Sequence, residues 1–186
     1  MTLAIALLAA GGATRFGGGK LDADCAGKPL GRWALDAALA LPHERLAVVV
    51  GEPVPQFARG CEALVNERAA DGLGASAALA ARWAAGCDAL LLMLADMPLV
   101  SAETLRALVE ASGPAAVGYP GCKPGAPACF PAALFSALGA LTGDSGAAIV
   151  LRGLAGVTLI DTAPEERSDV DRPEDLAEVE ALLRAR

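Results

Sequence analysis

A three-layer α/β/α sandwich with a mainly parallel sheet is the fold class that this 186-residue sequence predicts. Two observations predict it. Strand-like and helix-like stretches alternate from one end of the chain to the other. The strand-like stretches are continuously apolar rather than alternating, as in strands covered by helices on both faces.

Taken in order, residues 3–8 form an apolar strand that stops at a loop holding Gly11, Gly12, Gly17, Gly18 and Gly19 and ending in Lys20. Residues 29–41 read as an amphipathic helix with Leu30, Trp33, Leu35 and Leu39 among its apolar positions. Residues 46–50 are a buried strand ended by Gly51; Pro53 and Pro55 punctuate the next stretch, and 63–65 is a short strand. An Ala-rich helix covers 75–85, and 88–95 is another fully apolar strand. Ser101 offers an N-cap for a helix to about Ala111, which Gly113-Pro114 stops. A strand at 115–119 leads to a Gly- and Pro-rich loop at 121–127. Short helices are expected at 131–138 and 146–152 and a late strand at 157–160. Pro173 opens the final helix as an N1 residue, with Glu174 and Asp175 complementing its dipole. No linker, repeat or low-complexity stretch interrupts this order, so a single domain over residues 1–186 is expected. Ligands of such sheets sit at the carboxyl ends of strands, which directs attention to the residues after Leu8, Val65, Leu94 and Tyr119.

Composition narrows the class of function. Hydrophobic content of 54% with few aromatics implies a core of small Ala, Leu and Val side chains. A net charge of −7 argues against a nucleic-acid partner while leaving room for a small anion held by local cations. No apolar run approaches the roughly 20 residues that span a bilayer. The N-terminal run has no basic lead and is not read as a signal peptide, so a cytoplasmic protein without membrane association is expected. The cysteines number five with no CxxC pair, supporting neither a disulfide framework nor a thiolate metal site. The lone His43, between Pro42 and Glu44, is read as solvated, and a His-based metal site is not expected.

The stretch from Leu3 to Lys20 carries the first chemistry. A buried strand running into a glycine-rich turn presents backbone N–H groups with no Cβ in the way, which suits phosphate. Arg15 and Lys20 add two cations. A Walker A loop ending at Gly19-Lys20 would need glycine at Thr14 and a hydroxyl at Leu21; both fail. GxGxxG beginning at Gly17 would need its third glycine at Asp22 and fails too.

Leu8-Ala9-Ala10-Gly11, then Arg15-Phe16-Gly17-Gly18, then Lys20 resembles the L-A-A-G-x-x-x-R-[MF]-G-x-x-K signature of MobA-like nucleotidyltransferases. Among them the stretch is most similar to molybdenum cofactor cytidylyltransferases. Gly12, Ala13 and Thr14 depart from the polar and basic residues usual there. The resemblance implies a Rossmann-like nucleotidyltransferase fold. It also implies a nucleotide lying along Leu8, Ala9, Ala10, Gly11, Gly12, Arg15 and Lys20, with the two cations on its β- and γ-phosphates.

Asp96 ends an apolar strand and precedes Met97-Pro98. A carboxylate at the mouth of a buried strand either caps a helix or supplies the oxygen ligand that a phosphate-bound metal needs. The D-[MQ]-P stretch resembles the family's second signature, which implies Mg²⁺ on Asp96. Asp169-Val170-Asp171-Arg172-Pro173-Glu174-Asp175-Leu176 resembles the family's D-[IV]-D-T-P-E-D-L segment, from which a carboxylate opposite Asp96 is implied. Alternate residues of an extended segment share a face, so Asp169 and Asp171 can both point inward; Asp171 is favoured by position. The simpler reading is a helix entry with acidic first-turn residues, which accounts for Glu174 and Asp175.

Residues 66–76 resemble the family's N-x-x-x-x-x-G-[ML]-x-x-S segment, implying nucleotide contacts from Asn66, Gly74 and Ser76. Gly72, Gly74 and Ala77 also match GxGxxA, which leaves an NAD-binding oxidoreductase as a competing reading, although residues 66–71 separate the strand from the first glycine. Gly125-Ala126-Pro127 and Gly143-Asp144-Ser145-Gly146-Ala147 resemble the family's G-x-P and G-D-x-G-A-R segments. They imply an acceptor side formed by Gly125, Pro127 and Asp144, with Lys123 nearby. The usual arginine is Ala148 here, and Arg152 is its nearest substitute.

The implied reaction moves CMP from CTP to the terminal phosphate of molybdopterin cofactor, with Mg²⁺ as cofactor and pyrophosphate as leaving group. Catalysis falls to Arg15, Lys20 and Asp96, and metal binding to Asp96 and Asp171. A phosphomonoester is largely a dianion at neutral pH, so no general base is required. Ala10, where guanylyl relatives usually carry glycine, favours cytosine, though one methyl supplies only about 1–3 kcal/mol. A molybdoenzyme or its chaperone is the implied recipient of the product. A guanylyl or sugar-phosphate nucleotidyltransferase of the same fold, and a nucleotide-binding module without catalysis, remain as alternatives.

Overall fold

The computed structural model describes residues 1–12 and 15–185; Ala13 and Thr14, two of the positions that depart from the signature, lie outside the described residues. The first strand, β1 (Leu3–Ala9), is buried at every residue. A two-stranded hairpin, β2 (Asp24–Cys25) and β3 (Lys28–Pro29), precedes α1 (Leu30–Leu39). Then come β4 (Arg45–Val50), β5 (Glu62–Val65), α2 (Leu73–Trp83) and β6 (Ala89–Leu94). The second half holds α3 (Ala102–Glu110), β7 (Ala115–Tyr119), β8 (Lys123–Pro131), α4 (Phe135–Gly139), β9 (Thr158–Ile160) and α5 (Pro173–Arg184).

Seven strands make one sheet in the order β5-β4-β1-β6-β8-β7-β9. The pairs β4–β5, β1–β4, β1–β6 and β7–β9 are parallel; β8 runs antiparallel to both β6 and β7. Both faces are covered. Ile5, Leu7, Leu91 and Met93 pack with Leu35 of α1 and Leu105 and Leu108 of α3. Ala4, Ala6, Leu90, Leu92 and Phe130 pack on the other face with Ala77, Ala80 and Ala81 of α2. Successive residues of one strand thus enter opposite cores, which is why the strands read as unbroken apolar runs. A third cluster, with Leu30, Leu99, Val170 and Val179, seats α5 beside the sheet.

The expected elements are present with shifted bounds. Ser101 caps α3, its Oγ accepting from Thr104 N at 3.1 Å. The helices expected at 131–138 and 146–152 are largely 3-10 turns, Ala132–Leu134 and Ala147–Val150, with only Phe135–Gly139 α-helical. The 121–127 stretch corrects the sequence expectation. It is not simply a loop: the chain turns at Gly121 and Cys122 and returns from Lys123 as β8. Pro127 is tolerated because the β7–β8 register jumps from Ala116↔Ala128 to Val117↔Gly125, leaving Ala126 and Pro127 outside the ladder. A bulge removes the need for the N–H that Pro127 lacks. The short β2–β3 hairpin has no apolar pattern of its own to mark it in the sequence.

No helix of the described residues is long and apolar enough to cross a membrane.

Gly125 faces the Tyr119 ring, and a Cβ there would fall on the ring atoms. Gly125→Ala should therefore cost about 1–3 kcal/mol in denaturant unfolding. The thiols should separate as sharply. Cys122 is exposed, whereas burial pushes Cys129 up to about 11. A disulfide reagent at pH 8 should label Cys122 first and reach Cys129 only on unfolding.

Candidate active site

The loop after β1 turns through three consecutive left-handed glycines, Gly17, Gly18 and Gly19, at φ 90°, 96° and 63°. It ends in a 3-10 turn, Lys20–Asp22, whose Lys20 is only 8% exposed. The Asp22 carboxylate reaches across to the loop after β4 and accepts the N–H groups of Gln56 and Phe57, both at 2.8 Å. Between these two loops lies a cavity of about 940 Å³ at the carboxyl ends of β1, β4 and β5. Of the residues expected along a nucleotide, Ala9, Ala10, Gly11, Gly12, Lys20 and Asn66 line it. Its far wall, formed by Glu52, Gln56 and Arg59 and fixed by Asp22, carries no sequence signal.

Beside this cavity the carboxylates converge. Asp96 lies just past the end of β6, next to Ala95, whose N–H donates to Leu8 O at 3.0 Å. The backbone oxygen of Asp96 in turn accepts from Val170 N at 2.9 Å. Val170 is fully buried, so the two residues flanking it are held against the Asp96 side. One carboxylate oxygen from each of Asp96, Asp169 and Asp171 lies within 4.8 Å of the others. Position along the chain favours Asp171 over Asp169 as the partner of Asp96; the structure brings both to it.

Two cations face this cluster. Lys20 Nζ lies 2.7 Å from Asp96 Oδ2 and 3.8 Å from Asp171 Oδ1. Arg15, itself exposed, donates to Asp171 Oδ2 at 2.6 Å. Asp175 braces the segment from behind, accepting from Asp171 N and Arg172 N at 2.9 and 2.8 Å, and these bonds hold its carboxyl below the usual range. The Asp169 carboxyl is pushed up, first by partial burial and then by the nearby Asp96 charge. Three hard oxygen donors without sulfur or imidazole form a set suited to Mg²⁺, Mn²⁺ or Ca²⁺.

Other expected site residues fall elsewhere. Asn66 Nδ2 donates to Ser76 Oγ at 2.9 Å in a buried pair, so Ser76 supports Asn66 from beneath. Gly72 and Gly74 pack against residues 142–144, and Gly74 N donates to Gly143 O at 2.9 Å. The first turn of α2 is thus covered by protein backbone, where a dinucleotide fold would place a pyrophosphate. Close packing explains the GxGxxA spacing. Asp144 sits in that same loop against Gly72. Leu8 and Gly125 line a second, smaller cavity. Lys123 is exposed at the start of β8, and Pro127 lies in the bulge. Arg152 does not continue a helix from residue 146: the 3-10 turn ends at Val150, and Arg152 is exposed beyond it.

Residues 5–159 match the family model described as the MobA-like NTP transferase domain. Purine catabolism protein PucB of Bacillus subtilis (strain 168) is 31% identical over 187 residues, covering 90% of this chain and 91% of PucB. Among solved structures, a nucleotidyl transferase from Methanothermobacter has a TM-score of 0.83 at 21% identity, covering 100% of this chain and 99% of that one. Rv0371C of Mycobacterium tuberculosis, in complex with manganese, has a TM-score of 0.76 at 24% identity, covering 97% and 99%. The structural likenesses establish the shared fold, and the domain match with PucB establishes the kinship: this chain is a nucleotidyltransferase of the MobA-like family.

Proposed function

We propose that the protein transfers CMP from CTP to the terminal phosphate of molybdopterin cofactor, releasing pyrophosphate, with Mg²⁺ as the metal. The observation that carries the reading is the convergence of Asp96, Asp169 and Asp171 with Lys20 and Arg15 beside the 940 Å³ cavity. An oxygen-ligand cluster and two cations beside a cavity at the strand ends support a metal-complexed triphosphate as the ligand. A phosphate oxygen of the acceptor forms the new bond to the α-phosphorus. The bond from that phosphorus to the bridging oxygen breaks, and both electrons leave with pyrophosphate.

The chain's own part is positioning and charge. Amides of the Gly11–Gly12 turn and of Gly17 to Gly19 offer donors to phosphate oxygens. Lys20 and Arg15, held in this structure by Asp96 and Asp171, are the cations placed to meet the β- and γ-phosphates. Asp96 and Asp171, with Asp169 as third oxygen donor, would hold a divalent ion, which would supply charge to stabilise the transition state. Asp22 keeps the Gln56 wall in place around the base. Ala10 lines the cavity, and its methyl group favours the smaller cytosine ring over a purine. A dianionic acceptor phosphate needs no general base, consistent with a chain whose one histidine, His43, lies away from the cavity lining. A molybdoenzyme or its chaperone would take the product.

Thermal stabilisation by CTP, GTP, ATP and UTP, with and without Mg²⁺, tests the reading. CTP at about 100 times its dissociation constant should stabilise by roughly 2.7 kcal/mol, and only with Mg²⁺. Preference for GTP would keep the mechanism and change the product; indifference to every triphosphate would overturn the proposal. Asp96→Ala should lower pyrophosphate release by about 10²-fold or more while the fold persists. Lys20→Met removes the internal cation from three carboxylates. It should lower the melting temperature in cation-free buffer, and Mg²⁺ or Mn²⁺ should restore more stability to it than to the wild type.

A further inference from the structure

Ring size does not separate cytosine from uracil, so the Ala10 methyl leaves that choice open. The two bases differ in the hydrogen bonds their edges accept and donate, and only a polar group of the cavity reads that difference. Most polar side chains of the lining are already engaged. Asn66 donates to Ser76 Oγ and accepts from Arg68 N at 3.0 Å. Lys20 is held by Asp96, and both Asp22 oxygens accept from the opposite wall. Among the described residues, the side chains of Glu52, Gln56, Arg59 and Glu67 line the cavity without a hydrogen bond or ion pair.

Of these four, Arg59 alone has only donors. Its guanidinium is a rigid fork that matches two adjacent acceptors. Cytosine offers such a pair in N3 and O2, whereas uracil carries N3–H and guanine N1–H and N2–H₂. A carboxylate favours the guanine pattern, and the Gln56 amide turns to suit either.

The backbone around Arg59 is also firmly placed. Arg59 follows the 3-10 turn Gln56–Ala58, and its N–H donates to Gln56 O at 3.1 Å. Such a turn begins with N–H groups that have no partner within it. The preceding residue, Pro55, has no side-chain oxygen to cap them, and Asp22 does so from the other loop by accepting from both Gln56 N and Phe57 N. Behind the wall Phe57 and Ala58 are buried, and a Cβ on Gly31 of α1 would lie 2.9 Å from the Phe57 ring. The exposed Arg59 side chain thus extends from an anchored turn. Asp22 itself belongs to the turn that carries Lys20, since Asp22 N donates to Gly19 O and Ala23 N to Lys20 O.

We propose that Arg59 is a specificity-determining residue, its guanidinium donating to N3 and O2 of cytosine, and that Asp22 is the positioning residue that holds the Arg59 turn at the cavity wall. This rests on the cytidylyl-transfer reading above. Through Asp22 the group that reads the base and the lysine that faces the phosphates share one reference point.

Calorimetric titration of the whole protein with CTP, UTP, GTP and inorganic tripolyphosphate, each with Mg²⁺, tests it. The wild type should bind CTP at least about 10-fold more tightly than UTP. Arg59→Met removes the donors and should erase that preference while leaving the affinity for tripolyphosphate, which has no base, unchanged. Arg59→Lys keeps the charge without the fork and should also lose the preference. Asp22→Asn sets an amide against one of the two backbone N–H groups and should lower the CTP-to-UTP affinity ratio, which a general loss of stability does not move. With the wild type alone, 3-deaza-CTP, which lacks the N3 acceptor, should bind about 10-fold more weakly than CTP. A preference that survives Arg59→Met or Arg59→Lys, or a tripolyphosphate affinity that falls as far as that for CTP, would overturn the inference. So would a ratio untouched by Asp22→Asn, or 3-deaza-CTP binding as tightly as CTP. A wild type that binds CTP no better than UTP overturns the inference alone, whereas one that prefers GTP or ignores every triphosphate overturns the underlying reading.

Discussion

The hydrogen bond from Val170 N to Asp96 O is the constraint on which the site depends. It joins a segment near the C-terminal end to the mouth of a central strand. Burial of Val170 with Leu30, Leu99 and Val179 fixes the segment's depth, and the two-residue period of extended backbone then points both flanking carboxylates the same way. Three carboxylates gathered in this manner would repel one another. Lys20, buried beside them, supplies the compensating charge, and the three left-handed glycines before it let the loop deliver that ammonium. Geometry and charge balance thus come from different parts of the chain.

The two cavities share the carboxyl end of β1: Ala9 and Ala10 line the large one and Leu8 the small one. The antiparallel β8 serves the second. Its bulge frees Ala126 and Pro127 from the ladder, and the glycine at 125 admits the Tyr119 ring whose hydroxyl ties the strand back to Ala126. The Gly-rich contact between residues 72–74 and 142–144 closes the same side, bringing residues 146–148 over the sheet.

Local features are the ones legible in the sequence. Unbroken apolar runs mark β1, β4, β6 and β7, and Ser101 and Pro173 mark helix starts, because each signal lies within one turn or one strand. The carboxylates at 96, 169 and 171 are readable as candidate ligands only because the strand end and the extended segment each constrain direction. Asp22 is invisible, since its partners are Gln56 and Phe57 in another loop and nothing near it in the chain announces them. The 123–127 segment reads as a loop because glycine and proline speak against a strand unless the register shift that accommodates them is known. GxGxxA is ambiguous for a related reason: glycines that admit a neighbouring backbone look the same in sequence as glycines that admit a phosphate.

Lys20 has one further consequence. Its ammonium is already hydrogen-bonded to Asp96, so a cation approaching the three carboxylates must displace it, and a phosphate that draws it away lowers that cost. Binding free energies are reciprocal, so the cation must return the same favour to the phosphate. On the proposed function, a single buried lysine would thereby make the protein a poor binder of either ion alone and a better binder of the pair. Selectivity for a metal-complexed anion over a bare one would then follow from the resting charge arrangement, before any contact with a base or an acceptor is made.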